Sequence, residues 1–315
     1  MRSFITGIDG FIGSHLAQAL LDTGDTVSGL SRTDRGDRGE VTVYCADLTD
    51  ANAVTSALRR ARPDRIFHLA AQSNIPRSLA HPEETFAVNV SGSLHLFEAV
   101  RAEAPRATLI SVGSSAEYGV SGERPDMIDE QTPLQPTSPY GASKASQGLL
   151  AGLHARAYGL RCMHVRPFAI IGPGKEGDAV SDFCRAVVRI EDGETPTLPT
   201  GDLDVVRDFM DVRDCVRAFP LIAERGVAGE TYNVCNGVGA SLRQMLHELQ
   251  QLAGRPFAVV NDPAKPHSVN DRRLVGNNAK LRALGYQRQH DLADTVRATL
   301  AFWRVREGQR ETTPS

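Results

Sequence analysis

Thr6-Gly7-Ile8-Asp9-Gly10-Phe11-Ile12-Gly13 follows a short apolar run, Phe4-Ile5. It opens a segment, Phe11 to Leu21, in which Ile12, Leu16, Ala19 and Leu20 share one helical face and Gly24 supplies a stop. The spacing predicts a strand, a tight turn and a helix. Gly7 permits the turn, Gly10 lets backbone N–H groups approach a diphosphate, and Gly13 lets the helix pack closely on the strand. The partial positive charge of the helix N-terminus favours the same anion. Gly7, Gly10, Phe11, Ile12 and Gly13 are therefore candidate residues for binding a dinucleotide cofactor.

Outward from this turn, strand-like runs recur at Thr26–Leu30, Val41–Cys45, Ile66–Leu69 and Thr108–Val112. Helical runs lie between them at Asn52–Arg60 and Thr85–Ala102. This alternation predicts an α/β fold of the Rossmann type, a doubly wound parallel sheet with helices on both faces. From Arg161 the pattern breaks up, with Pro and Gly at Gly172-Pro173-Gly174 and from Gly193 to Gly201. Later helices are expected at Ser241–Leu252 and Leu292–Trp303. The expected organisation is a cofactor-binding domain over 1–165, with later returns near 205–235. A smaller α+β substrate lobe would take 166–204 and 236–315, with a frayed tail after Arg306.

The 315 residues are 41% hydrophobic and 23% charged, with net charge −3, so a full core can form. That balance gives no general attraction to nucleic acid or membrane, and any anionic ligand must be held by a local site. The five cysteines, Cys45, Cys162, Cys184, Cys215 and Cys235, form no Cys-x-x-Cys pair. No metal site is expected, and the cysteines read as small hydrophobes in a reducing compartment. No signal-peptide pattern and no apolar run of bilayer length is present, so a soluble, cytoplasmic protein is expected.

The end of the second strand selects the cofactor. An acidic residue there would take a ribose 2′-hydroxyl and favour NAD. Here the sequence is Leu30-Ser31-Arg32, followed by Arg35. Ser31 can donate to a 2′-phosphate and Arg32 can pair with it, which favours NADP(H), although Arg32 also fits a solvated surface. Asp47-Leu48 after the third strand suits either the adenine or, through Asp47, the N-cap of the next helix.

Ser138-Pro139-Tyr140-Gly-Ala-Ser-Lys144 has an N-cap serine, a first-turn proline and then Tyr140 and Lys144 at i and i+4. An ammonium beside a phenol favours the phenolate, so the pair suits proton exchange with a sugar hydroxyl or carbonyl. Val112-Gly-Ser114-Ser-Ala-Glu-Tyr-Gly119 follows an apolar strand and brings Ser114 to its carboxyl end, where open α/β sheets bind ligands. Ser114 can hydrogen-bond the same reacting oxygen, or bond its own backbone as a turn residue.

Taken together these segments resemble the extended short-chain dehydrogenase/reductase family. The resemblance adds His68-Leu69-Ala70-Ala71, Asn89-Val-x-Gly92, Arg166-Pro167-Phe168, Arg207-Asp208-Phe209 and Asn233-Val-Cys-Asn-Gly237, and covers nearly the whole chain. Within that family the chain is similar to the GDP-4-keto-6-deoxy-D-mannose reductase and GDP-mannose 4,6-dehydratase branch. The segments that carry this are Pro136–Lys144, Ile171–Gly174, Val206–Val212 and Arg273–Gly276. The resemblance implies that Ser114, Tyr140 and Lys144 are catalytic. It implies that Leu69, Ala70, Ala71 and Pro167 join Ser31, Arg32, Asp47, Leu48, Tyr140 and Lys144 around the cofactor. It further implies that Ser73, Ser115, Arg207, Asn233 and Lys265 contact a nucleotide-activated hexose. Arg207 suits a diphosphate, or an ion pair with Asp204 or Asp208.

Two departures from the family pattern bear on the reaction. Relatives that dehydrate carry glutamate where this chain has Ala116; Glu117 stands one residue later, where the side chain should face away. Ala169 replaces the asparagine usual after Arg-Pro-Phe, and Lys265-Pro266 replaces Arg-Pro, which keeps charge but not bidentate geometry. The sequence thus favours an NADPH-dependent 4-keto reductase. A 4,6-dehydratase or C4 epimerase on the same site is the alternative, and a non-catalytic NADP(H) sensor is a third reading. The resemblance also implies a homodimer through a four-helix bundle built from Thr85–Ala102 and Pro139–Tyr158. Leu94, Phe97, Leu149, Leu150 and Leu153 would serve that face or the core.

Overall fold

The computed structural model describes residues 1–33, 39–119, 127–264 and 273–311. In chain order the first six strands of its central sheet are β1 (Arg2–Thr6), β2 (Thr26–Ser31), β3 (Thr42–Cys45), β4 (Arg65–His68), β5 (Thr108–Val112) and β6 (Cys162–Pro167). Thr231–Val234 returns to pair with β6 as the seventh. Across the sheet the order is Thr231–Val234, β6, β5, β4, β1, β2, β3, and every pairing is parallel. The order grows outward in opposite directions from β1 and β4. The crevice at their carboxyl ends is therefore the switch point at which such sheets take a ligand. This is the Rossmann α/β fold that the alternation of elements predicted.

Strand pleating sends neighbouring residues to opposite faces. Ile5, Phe67 and Ile110 join one buried cluster with Leu16 and Leu20 of α1 (Phe11–Asp22) and Phe219 of the helix Val212–Arg225. Phe4, Ile66 and Leu109 join the other, with Leu58 of α2 (Ala51–Ala61) and Leu96, Phe97 and Val100 of Gly92–Glu103. All six residues of β6 are buried, as a strand covered on both faces requires. A third cluster, with Phe183, Leu246 and Trp303, is built by the helices Ala179–Glu191, Leu242–Leu252 and Leu292–Glu311.

Local chemistry sets the helix ends near the cleft. Ser138 accepts from the Gly141 amide at 3.1 Å, Pro139 opens the helix Pro139–Tyr158, and Gly159 ends it at φ +69°. The continuous helix expected over Thr85–Ala102 is interrupted: Pro82–Phe86 leads into a π turn, Ala87–Ser91, before Gly92–Glu103. Inside that turn Asn89 is fully buried, accepts from the Gln72 amide, and donates to the Gln72 carbonyl and the Ser143 hydroxyl. The extra residue in the turn aims the amide at two neighbouring segments, a use typical of π-bulges near functional sites. At the other end of the chain, helical backbone continues past the expected fraying point at Arg306 to Glu311.

The ambiguous apolar face resolves by residue. Phe97 lies in the core and Leu150 packs against it, whereas Leu94, Leu149 and Leu153 are exposed. Among the described residues no helix is long and apolar enough to cross a membrane, and no group of His, Cys, Asp or Glu is gathered as for a metal ion.

Candidate active site

Gly7 adopts φ +71°, and a Cβ there would lie 2.8 Å from the Ala70 amide nitrogen. At Gly13 a Cβ would lie 2.2 Å from the Gly7 carbonyl oxygen, so only glycine lets α1 start this close to β1. The Gly10 amide closes the turn on the Gly7 carbonyl at 2.9 Å. No side chain caps α1, so its first amides face the cleft with their partial positive charge uncompensated. The cleft measures about 960 Å³, within the usual range for cofactor sites. Gly7, Gly10, Phe11, Ile12, Gly13, Ser31, Arg32, Asp47, Leu48, Leu69, Ala70, Ala71 and Pro167 all line it. An open helix N-terminus over a glycine cradle that a Cβ would fill fits a dinucleotide diphosphate.

At the end of β2, where the adenosine is expected, the details differ from the sequence reading. The Ser31 hydroxyl donates to Asp9 in the glycine turn and accepts from the Thr33 amide, so its proton is already engaged. Arg32 lines the cleft and acts on Asp47. Asp47 is not the N-cap of α2: Asp50 fills that role, accepting from Asn52 and Ala53. Asp47 instead accepts from the Thr49 amide and hydroxyl, and the Thr49 amide is the main cause of its carboxyl lying below the ordinary range. Arg35 lies outside the described residues.

The sheet edge brings the three expected catalytic side chains together. Ser114, two residues past the end of β5, acts on the Tyr140 phenol, and its hydroxyl accepts from the Ala116 amide at 3.1 Å. Lys144 is buried, with Nζ donating to the Val112 carbonyl and to Gln147 Oε1, both at 2.8 Å. Burial lowers its pKa to about 8, against the pull of Glu117 in the other direction. The Tyr140 phenol is raised by burial, which outweighs the Ser114 hydrogen bond, and the charge of Glu117 adds to the rise. The expected acidification by Lys144 is thus not the governing effect: its protons point at Val112 and Gln147, and desolvation of the phenolate wins. The nearby His68 is held neutral, burial pulling it to about 3, and bridges Thr6 and Ser93.

Of the residues expected to meet a hexose, Ser73 and Arg207 line the cleft. Arg207 Nη1 donates to the Val206 carbonyl, and the two suggested carboxylate partners are engaged elsewhere. Asp204 pairs with Arg243, and Asp208 accepts from the amides of Asn236, Gly237 and Gly276. Ser115 is buried in the 3-10 turn and outside the cleft wall. Asn233 is not among the residues lining the cleft: fully buried, it accepts from the Tyr118 hydroxyl at 2.6 Å and donates to the Ile128 carbonyl, tying the seventh strand to the 127–130 segment. Lys265 lies outside the described residues. Reading the sequence missed Asp9 and Lys175, whose Nζ sits 5.2 Å from the Phe11 ring centre, and the Arg77–Glu84 pair; all four residues line the cleft. Glu117 turns away from the cleft as the spacing predicted, its carboxylate meeting His164 and Arg166 in the interior.

Residues 4–299 match the family described as GDP-mannose 4,6 dehydratase. The chain belongs to this family. Among curated relatives of this GDP-mannose 4,6-dehydratase family, it is 32% identical over 311 residues to the GDP-6-deoxy-D-mannose reductase of Pseudomonas aeruginosa, covering 97% of this chain and 99% of that one. It is 31% identical over 317 residues to the UDP-glucose 4-epimerase of Mycolicibacterium smegmatis, covering 96% and 99%. Its fold matches RMD from Pseudomonas aeruginosa complexed with NADPH at TM-score 0.86, with 28% identity and 97% and 98% coverage. It also matches Thermus thermophilus UDP-glucose 4-epimerase complexed with NAD at TM-score 0.84, with 31% identity and 96% and 99% coverage. Family membership makes the protein an enzyme of nucleotide-sugar chemistry that works with a nicotinamide dinucleotide.

Gly13→Ala tests the cradle. Overpacking against the Gly7 carbonyl should cost about 1–3 kcal/mol of stability in urea unfolding. It should also weaken dinucleotide binding at least about tenfold by fluorescence titration, on the scale of 1.4 kcal/mol per decade.

Proposed function

We propose that the protein reduces the C4 ketone of a nucleotide-linked 4-keto-6-deoxyhexose, GDP-4-keto-6-deoxymannose foremost, with NADPH as reductant. The observation that carries this reading is the fate of the carboxylates. Ala116 stands where a dehydratase needs its glutamate, and Glu117 is buried away from the cleft. The acids that do line the cleft are each held by a partner: Asp9 by Ser31, Asp47 by Thr49, Glu84 by Arg77, and Asp178 by the Ser181 amide it caps. The reacting end therefore offers proton donors to an oxygen rather than a base to a C–H bond, which suits ketone reduction better than elimination.

When bound, the dinucleotide supplies hydride to the carbonyl carbon. Ser114 orients the carbonyl oxygen. Tyr140, whose raised pKa keeps it protonated at neutral pH, donates its proton as negative charge develops on that oxygen. Lys144, charged below about pH 8, holds the cofactor ribose and adds positive potential under the phenol. Arg207 and Ser73 meet the nucleotide diphosphate and sugar, Lys265 is a further substrate contact, and 166–204 with 236–315 form the smaller substrate lobe. Arg32 supports NADPH by its charge at the adenosine end. The protein works as a homodimer, with Leu94, Leu149 and Leu153 covering one another across a four-helix bundle.

With purified protein and GDP-4-keto-6-deoxymannose, NADPH absorbance should fall in step with 6-deoxyhexose formation, and Tyr140→Phe should slow turnover about 10²–10⁴-fold while dinucleotide binding persists. Turnover with no net NADPH loss, or an unaffected phenylalanine variant, would contradict the reading. Arg32→Asp should shift the NADP/NAD ratio of kcat/KM toward NAD by about tenfold or more, as loss of a charge-assisted hydrogen bond implies; an unchanged ratio removes Arg32 from cofactor selection. Sedimentation at micromolar concentration should give a dimer, and Leu149→Asp with Leu153→Asp a monomer; a monomeric parent chain would refute the assembly.

A further inference from the structure

Glu117 is fully buried and accepts three hydrogen bonds. The donors are the Ser114 amide at 2.9 Å, His164 Nε2 at 2.9 Å and Arg166 Nε at 2.7 Å. From His164 the contacts continue: Nδ1 lies 3.2 Å from the Ser111 hydroxyl, which accepts from Gln147 Nε2 at 3.0 Å, while Gln147 Oε1 accepts from Lys144 Nζ at 2.8 Å. With the His164 proton on Nε2, every donor finds an acceptor and all point the same way: Lys144 to Gln147, Gln147 to Ser111, Ser111 to His164, His164 to Glu117. The chain runs from a buried cation to a buried anion, the arrangement in which hydrogen bonds polarise one another. The fold leaves room for it. A Cβ on Gly113 would lie 2.0 Å from Glu117 Oε1 and 2.4 Å from His164 Nε2, and one on Gly148 would lie 2.8 Å from His164 Nε2.

We propose that Glu117 is a positioning residue and buried counter-charge, which fixes the Ser114 backbone directly and holds the Lys144 ammonium through His164, Ser111 and Gln147. One hydrogen-bonded chain then sets two of the catalytic side chains. The inference rests on the oxidoreductase reading for its kinetic consequence and on the geometry alone for the rest. Burial pushes the Glu117 carboxyl up, but His164, Arg166 and the Ser114 amide outweigh it and keep the group ionised. Glu117 is also the group that pulls Lys144 back up against desolvation. The other titratable groups near Lys144 are Tyr140 on its own helix, His68 on β4 and His164 on β6, and among the described residues the one carboxylate acting on Lys144 is Glu117.

The test is the titration of Lys144 in the full-length protein without substrate, followed by NMR of lysine labelled with ¹³C at Cε and assigned with Lys144→Met. In Glu117→Gln the counter-charge is gone and the ammonium loses support, so the Lys144 midpoint should fall by about half to one pH unit. Ser111→Ala breaks the chain without altering a charge and should move the midpoint the same way by less. In turnover, the alkaline limb of kcat should move to lower pH in both variants with KM little changed. A Lys144 midpoint that stays at its parent value in Ser111→Ala, and in Glu117→Gln where that variant folds, overturns the proposal. Should Glu117→Gln fail to fold, Ser111→Ala decides alone. A protein inert toward every keto sugar would sink the assigned reaction yet leave this titration readable.

Discussion

The Lys144 ammonium donates to the carbonyl of Val112, the last residue of β5, and the layout of the cleft follows from that contact. It docks the helix Pro139–Tyr158 on the carboxyl end of the strand, nearly two turns past the Ser138 cap. Tyr140, one helical turn earlier on the same face, is thereby carried over Ser114, which leaves β5 two residues beyond Val112. The parallel sheet supplies the other half of the constraint. Because β1, β4 and β5 all end at one edge, the glycine cradle after β1 opens into the same crevice as Ser114. A cofactor lying along that edge would meet Ser114, Tyr140 and Lys144 without any further device.

Burial makes this edge selective about charge. In a poorly solvated site each ionised group needs a partner, and the chain provides one for each. Glu117 finds His164 and Arg166, Asp208 finds three backbone amides, and Lys144 finds a carbonyl and an amide oxygen. Desolvation also explains why Tyr140 keeps its proton. A phenol held neutral beside a serine hydroxyl is prepared to give that proton to an oxygen that becomes negative during reaction. On the proposed reading the same reasoning applies to Glu117, which stands one residue after Ala116 and is buried in the interior instead of lining the cleft.

Much of this was legible in the sequence because it is written in local spacing. The turn Thr6–Gly13, the capped helix with Tyr140 and Lys144 one turn apart, and the inward orientation of Glu117 each follow from residue periodicity and side-chain size. Long-range partners were not legible. Nothing near Ser31 in sequence says that Asp9 will take its proton, and Asp47 read equally as an adenine contact or as the cap of the next helix, a role that Asp50 fills. Asn233 carries a family motif, yet it spends its amide on Tyr118 and Ile128, segments more than a hundred residues earlier. The balance between desolvation and Lys144 at Tyr140 is likewise a three-dimensional quantity. Two signals were present and unread: Gln147 lies at i+3 from Lys144, and His164 shares a strand face with Arg166.

The proposed reaction is a net hydride transfer to the sugar at an edge that donates protons and withholds a base. Isotope tracing tests it most directly, with NADPH deuterated at the transferable C4 position, GDP-4-keto-6-deoxymannose, and mass spectrometry with NMR of the product. One deuterium at C4 of the sugar, matched mole for mole by oxidised cofactor, is the result expected. A sugar that is converted with its C4 free of label and the deuterated cofactor unconsumed would contradict the account.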